Sequence, residues 1–273
     1  MLLGYNTNGL QNHRLDDALR LLADRGYQAV AITVDVQHLD PFRASTRDIE
    51  AIAALLEKLG LHPVIETGAR FLLDPKTKHE PTLMTRGPDA RQVRLDFYAR
   101  AARIGRDLGA QVVSFWSGVD RAPGRDSRAI LRSGVLAACE AITASGLRPA
   151  LEPEPGMSVA TVQDFLDLRD DLEAEELALC LDIGHLYATQ EGSPEELIPV
   201  AAPHLAQVHL EDMRRGIHEH LVPGEGDVDF PGVRRALESS QYAGPICFEL
   251  SRSSHRAPEV LGICQEVWQA SRS

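Results

Sequence analysis

The sequence predicts an α/β chain folded as a single (β/α)8 barrel with its active site at the C-terminal ends of the strands, and three observations carry that prediction. Short apolar runs of β-forming residues alternate eight times with longer amphipathic segments. Most of these runs are apolar almost throughout, as strands covered on both faces require. The 273 residues, 44% of them hydrophobic, suit one barrel with one core. Strict alternation also allows an open, doubly wound sheet. Eight units favour closure, and Gly4-Tyr5-Asn6-Thr7-Asn8-Gly9 after the first strand lacks the GxGxxG spacing of a dinucleotide-binding turn. Residues 1–273 are therefore read as one domain.

Taken in order, LLGYN at 2–6 is the first strand, covered by the amphipathic segment 15–25, and AVAITV at 29–34 is the second. The helix at 45–59 opens with Ser45 and Thr46 ahead of Asp48 and Glu50, a capped and acidic first turn, and stops at Gly60. PVIET at 63–67 is the third strand; the helix at 88–108 stops at Gly109 before VVSFW at 112–116. The helix at 126–145 stops at Gly146 before PALE at 149–152, and the helix at 158–170 leads to LALCLD at 177–182. The helix at 193–202 precedes AQVHL at 206–210, the helix at 230–240 precedes PICFEL at 245–250, and the helix at 257–270 follows. Two connections, 68–87 and 213–229, are longer than the rest, and both follow strand C-terminal ends. On a barrel, such loops read as lids or substrate walls.

With 28 Lys and Arg against 40 Asp and Glu, the formal net charge is -12, which argues against a nucleic-acid partner. Cys139, Cys180, Cys247 and Cys264 show no CxxC spacing and read as reduced core residues. The start MLLGYNTNGL has no basic region followed by an apolar one, and no apolar stretch is long enough to span a membrane. A soluble cytoplasmic protein is expected.

Chemistry concentrates at the strand ends. Leu151-Glu152, Leu181-Asp182, Val208-His209 and Phe248-Glu249 each put one metal-capable side chain at the end of an apolar run, on the fifth to eighth strands. One such carboxylate alone is as readily a salt bridge or a helix cap. Four on consecutive strands converge on one mouth. Three carboxylates and an imidazole suit Mn2+, Mg2+, Co2+ or a catalytic Zn2+ better than a structural thiolate site.

The motifs LEPEPG at 151–156, LDIGH at 181–185, VHLED at 208–212, HLVPGEGDVDF at 220–230 and FELS at 248–251 extend this pattern. On them the chain resembles the xylose isomerase-like TIM barrels, of the AP endonuclease family 2 type, which include sugar isomerases and epimerases, inosose dehydratase and endonuclease IV. The resemblance spans nearly the whole chain. It implies one divalent metal ion, Mn2+ foremost, held by Glu152, Asp182, His209 and Glu249. It also implies that Glu152 and Glu249 exchange a proton with substrate carbon through an enediolate whose oxygens the metal holds.

His185 matches the histidine of the family's DxxH element, its bland reading being a loop histidine bonded to backbone; His220, with His218 as competitor, is expected in the pocket. Glu154 is read as a partner of the site and Arg252 as a contact for an anionic or polar part of the substrate, against the plainer reading of both as surface charges. On the other half of the mouth Asn6, Asp35, His38, Glu66 and Trp116 are expected to set substrate shape, although Trp116 also reads as barrel packing.

The function expected is that of a metal-dependent sugar isomerase or epimerase acting on a small sugar or polyol-derived carbonyl compound, with neither nucleic acid nor membrane as partner and with pairing as a homodimer. A dehydratase or lyase acting on a keto-sugar or keto-inositol shares the same first step. An endonuclease IV-like phosphodiesterase would need a cluster of three metals and further histidines from the second and third strands, where only His38 offers itself. A metabolite-binding barrel without catalysis is the non-enzymatic alternative.

Overall fold

The computed structural model describes residues 1–272 and shows eight parallel strands closed into a barrel. In chain order these are β1 (Leu2–Asn6), β2 (Ala29–Thr33), β3 (His62–Glu66), β4 (Val112–Phe115), β5 (Arg148–Leu151), β6 (Ala178–Asp182) and β7 (Leu205–Leu210). An antiparallel hairpin of β8 (Asp212–Arg214) and β9 (Ile217–Leu221) then interrupts the series before β10 (Pro245–Phe248), which pairs with both β7 and β1 and closes the ring. The helices are α1 (Leu15–Asp24), α2 (Thr46–Leu59), α3 (Pro88–Asp107), α4 (Ser127–Thr143), α5 (Val162–Leu172), α6 (Ile183–Thr189), α7 (Pro194–Ala201), α8 (Phe230–Ser239) and α9 (Ala257–Ala270). Among the described residues no helix is long and apolar enough to cross a membrane.

Side-chain alternation on the strands positions the site. Ala29 and Ala31 on β2, Val64 on β3, Ala150 on β5, Ala178 and Cys180 on β6 and Cys247 on β10 form one buried cluster of mostly small residues. Counting on by two along the same strands gives Thr33, Glu66, Glu152, Asp182 and Glu249. Successive side chains on a strand point to opposite faces, so the residues that fill the lumen and the polar residues at its mouth share one face. The intervening positions, such as Val30, Ile32, Ile65, Leu151, Leu179, Leu181 and Phe248, belong to the larger core between strands and helices. All four cysteines are buried and unpaired.

Three local expectations are corrected. The helix expected from 158 starts at Val162, because Thr161 and Asp164 form a capping box and Ser158 and Val159 donate backbone N–H groups to Gly118 and Ser117 instead. His185, whose alternative reading was a loop position, lies in α6, a helix that begins directly at the end of β6 with Asp182 as its N-cap. The connection 213–229, expected as a loop serving as lid or substrate wall, contains most of the β8–β9 hairpin. Buried Asp212 organises it: Oδ1 accepts from Met213 and Val228 N–H, and Oδ2 from Gly224 and Gly226 N–H, at 2.8 to 3.0 Å.

Candidate metal centre

Glu152, Asp182, His209 and Glu249 each bring one ligand atom to within 4.8 Å of the others. Glu152 and Glu249 stand one residue beyond β5 and β10, and their backbone N–H groups bond to Phe115 and Leu210 carbonyls, which continue the barrel pairing past the strand ends. Asp182 and His209 are register partners on β6 and β7. His209 is the hub. Its Nδ1 lies 2.9 Å from Glu249 Oε2 and 3.0 Å from Glu152 Oε1, and its Nε2 lies 2.9 Å from Glu66 Oε1. Gln207 Nε2 donates to the same Glu66 oxygen at 2.6 Å.

Charge crowding sets the protonation of these groups. Burial pushes Glu152 up to about 8, and Glu249 and Glu66 push it the same way against His209. Burial also works to raise Glu249, but His209 overrides it and holds that carboxyl down to about 2. For His209, burial disfavours the cation, yet Cys180 and the surrounding carboxylates hold it well above the usual imidazole range. Asp182 falls below its ordinary value despite burial because of His185 and the neighbouring Glu211 carboxyl.

The residues fit a divalent cation on their own evidence. Asp182 Oδ1 caps α6 by accepting from His185 N–H at 3.0 Å, whereas the buried Oδ2 has no hydrogen-bond partner among the described residues. Buried, unpartnered carboxylate oxygens are costly unless a proton or cation meets them. His209 would present Nδ1 to that cation while Glu66 anchors Nε2, the arrangement in which a carboxylate fixes the ring of a liganding histidine.

Around this core, His185 Nδ1 donates to Pro153 O at 2.8 Å, which turns Nε2 toward Asp182 Oδ2 at 3.7 Å and Glu154 Oε2 at 3.6 Å. Glu154 Oε1 lies 3.7 Å from His218 Nε2, and His220 Nδ1 donates to Glu249 O at 3.2 Å. Both hairpin histidines therefore reach the pocket, with ring centres 4.9 and 6.1 Å from that of His185. Burial and these neighbours push His218 down to about 4.

A cavity of about 810 Å³ opens above the centre, lined among others by Glu66, Trp116, His38, His185, His220 and Arg252. Trp116 meets His79 edge-on at 4.8 Å, and Arg252 reaches Glu219 at 3.2 Å. Buried His38 bonds through Nε2 to His13 O and joins none of the groupings of metal-capable side chains among the described residues. Asn6 departs from expectation: it is fully buried, accepts from Thr33 Oγ1 and Asn8 N–H, and does not line the cavity. Asn8 takes that place and donates from Nδ2 to Glu249 Oε1 at 2.7 Å.

Two further residues escaped sequence reasoning. Glu211 is fully buried within 4.8 Å of Asp182 and His220, and burial and Asp182 hold its carboxyl well above the usual range. Its signal was present, since it follows His209 by two on the same strand face. Gly184 is required by it: a Cβ there would fall 1.8 Å from Glu211 Oε1. His79 lies in a long connection with no periodicity to mark it, and only its contacts with Trp116 and Gly68 O reveal it.

A profile of the xylose isomerase-like TIM barrel family matches residues 19–267, so the chain belongs to that family. Inosose dehydratase of Salmonella typhimurium is 26% identical over 140 residues, 44% of this chain and 45% of that one. The match thus spans less than half the length of that curated relative. Among solved structures, a D-tagatose 3-epimerase-like protein superposes with a TM-score of 0.78 at 19% identity, covering 100% of both chains. The IOLI protein with a bound zinc atom superposes with a TM-score of 0.79 at 17% identity, over 99% of this chain and 98% of that one. D-allulose 3-epimerase from Methylomonas sp. gives 0.77 at 18% identity, over 99% and 98%. At these identities the structures show a shared fold.

Proposed function

We propose that this member of the xylose isomerase-like TIM barrel family is a divalent-metal-dependent sugar isomerase or epimerase in which Glu152 and Glu249 handle the proton. One observation carries the reading: both glutamates approach His209 Nδ1, at 3.0 and 2.9 Å, where four ligand atoms converge on the floor of a cavity large enough for a monosaccharide. A bound cation supplies positive charge where an enolate oxygen develops, without which a proton beside a carbonyl is too weakly acidic for a carboxylate base.

The chain's own residues divide the remaining work. Asp182 and His209 hold the cation, Glu66 fixes the His209 ring, and Asn8 ties down one oxygen of Glu249 and leaves Oε2 directed inward. One of the two glutamates removes the proton as the carboxylate and the other returns one from the opposite side of the site. Return on the opposite face inverts the carbon, and return to the neighbouring carbon moves the carbonyl. His185 and His220 face the same cavity and orient substrate hydroxyls, with Glu154 beside His185. Trp116 and His38 line the wall against the carbon chain, and Arg252 stands at the rim.

We favour Mn2+, with Mg2+, Co2+ and Zn2+ as alternatives, because the donors are three carboxylates and one imidazole. Reduced, buried cysteines support a cytoplasmic location in carbohydrate metabolism. The inosose dehydratase relatives favour a second reading, dehydration of a keto-inositol, which begins with the same proton removal. Metal analysis followed by a substrate panel in deuterated water separates the two. Solvent deuterium entering carbon without loss of water marks isomerisation or epimerisation; a dehydrated product marks the second reading. Glu249→Gln is expected to lower turnover by about 10²- to 10⁴-fold, and unchanged turnover would sink the mechanism.

A further inference from the structure

The chain carries a formal charge of -12, yet Arg70, Lys78 and Arg252 all line the cavity above the metal centre. Arg252 pairs with Glu219 at 3.2 Å. Neither Arg70 nor Lys78 has a carboxylate within ion-pair distance among the described residues, and the one hydrogen bond of the Arg70 side chain goes to Gln11 Oε1 at 3.4 Å. The fold forces these two cations together. His79 N–H donates to Arg70 O at 2.6 Å and His79 Nδ1 to Gly68 O at 3.1 Å, so the loop folds back and sets residue 78 beside residue 70.

Arg94 locks that loop from below. Its buried guanidinium donates to the carbonyls of Thr67, His79 and Pro81 at 2.6 to 3.3 Å and meets no carboxylate within ion-pair distance among the described residues. Its positive charge therefore adds to that of the loop above. Burial and then the charge of Arg70, with a smaller contribution from Arg252, hold the Lys78 ammonium below its ordinary value against the pull of Glu154. Like charges held on a rigid loop repel unless an anion joins them. Lys76 and Lys78 are both exposed on this loop, but Lys76 does not line the cavity.

We propose that Arg70, Lys78 and Arg252 form a subsite at the cavity rim for an anionic group of the substrate, a phosphate ester or a carboxylate. The proposal rests on the reading above for the location of the reacting carbon, and it names the substrate class as a phosphorylated or acidic sugar. The acids crowd the cavity floor, which would repel that group, and the cations at the rim orient the substrate with its anionic end outward.

The test uses the intact, metal-loaded protein, with binding measured by calorimetry and proton exchange followed separately. The probes are a ketopentose, its 5-phosphate, a hexuronate and inorganic phosphate alone. An anionic probe is expected to bind at least about tenfold more tightly than the neutral sugar. That advantage should fall to about one in R70Q/K78Q, persist in Lys76→Gln, and shrink in the wild type as salt rises. Preference for the ketopentose 5-phosphate assigns the anion as phosphate, preference for the hexuronate as carboxylate, and either supports the subsite. Equal binding of neutral and anionic sugars, or an advantage that survives both R70Q/K78Q and high salt, overturns it. If no probe exchanges a proton, the isomerase reading fails, while the binding of inorganic phosphate and its loss in R70Q/K78Q still decide the subsite.

Discussion

At the scale of single residues, the centre works through contacts that no motif spells out. Glu66 holds His209 Nε2 at 2.9 Å, which leaves Nδ1 as the ring nitrogen that would face a cation. Glu66→Gln is expected to weaken metal affinity by about 10- to 100-fold while the fold persists, measured by competition with a chelator of known affinity. His79 offers a different handle. Burial, and next the charge of Lys78, push it from 6.5 down to about 4. The folded state therefore resists a proton that the unfolded chain accepts. Stability from this group is complete above about pH 6.5 and is lost as pH falls toward 4. Denaturant unfolding between pH 7 and pH 4 should show a shallower acid loss in His79→Gln than in the wild type; equal slopes would exclude the residue as a source. The four strand-end ligand candidates were legible because each closes an apolar run. His79 and Asn8 were not, since their partners lie far away in sequence.

At the scale of elements, local chemistry predicted most boundaries. Ser45 and Asp48 cap α2 reciprocally, and Gly60 ends it at φ 66°, where a side chain would be strained. Failures occurred where a distant side chain supplied the hydrogen bonds. The β8–β9 hairpin has little apolar alternation, and the loop after it is tied to its base because Asp212 collects the N–H groups of Met213, Gly224, Gly226 and Val228. Removing that carboxylate leaves buried donors unpaired. Asp212→Ala is expected to cost about 3 kcal/mol, seen as a lower denaturation midpoint, and to loosen His218 and His220. Retention of wild-type stability would show that water replaces the carboxylate without loss. Likewise α6 begins abruptly at Asp182 because one carboxylate both caps the helix and offers its other oxygen to the centre. Adjacent DIGH residues concealed that short helix.

On the scale of the whole molecule, closure brings β5, β6, β7 and β10 side by side, with β10 also pairing to β1. The four ligand candidates thereby span parts of the chain 97 residues apart, from Glu152 to Glu249. A cation bridging them ties those strands together and should stabilise the barrel. At a metal concentration about 100 times Kd, linkage contributes about 2.7 kcal/mol, so chelation is expected to lower Tm by about 5 to 10 °C. A melting curve indifferent to chelation and to Mn2+ would argue against a metal held by all four strands. The acidic centre below and cationic rim above give the cavity a polarity that the overall charge of -12 conceals.

The sequence by itself determined the barrel, the order of its eight strands and the four residues offered to a metal, because strand periodicity and strand ends are local properties. Only the tertiary structure decided which side chains support those four. Glu66, Asn8 and Glu211 reach the centre from β3, from the turn after β1 and from the position after β7. Their roles depend on distances across the barrel mouth, and such distances exist only once the sheet has closed.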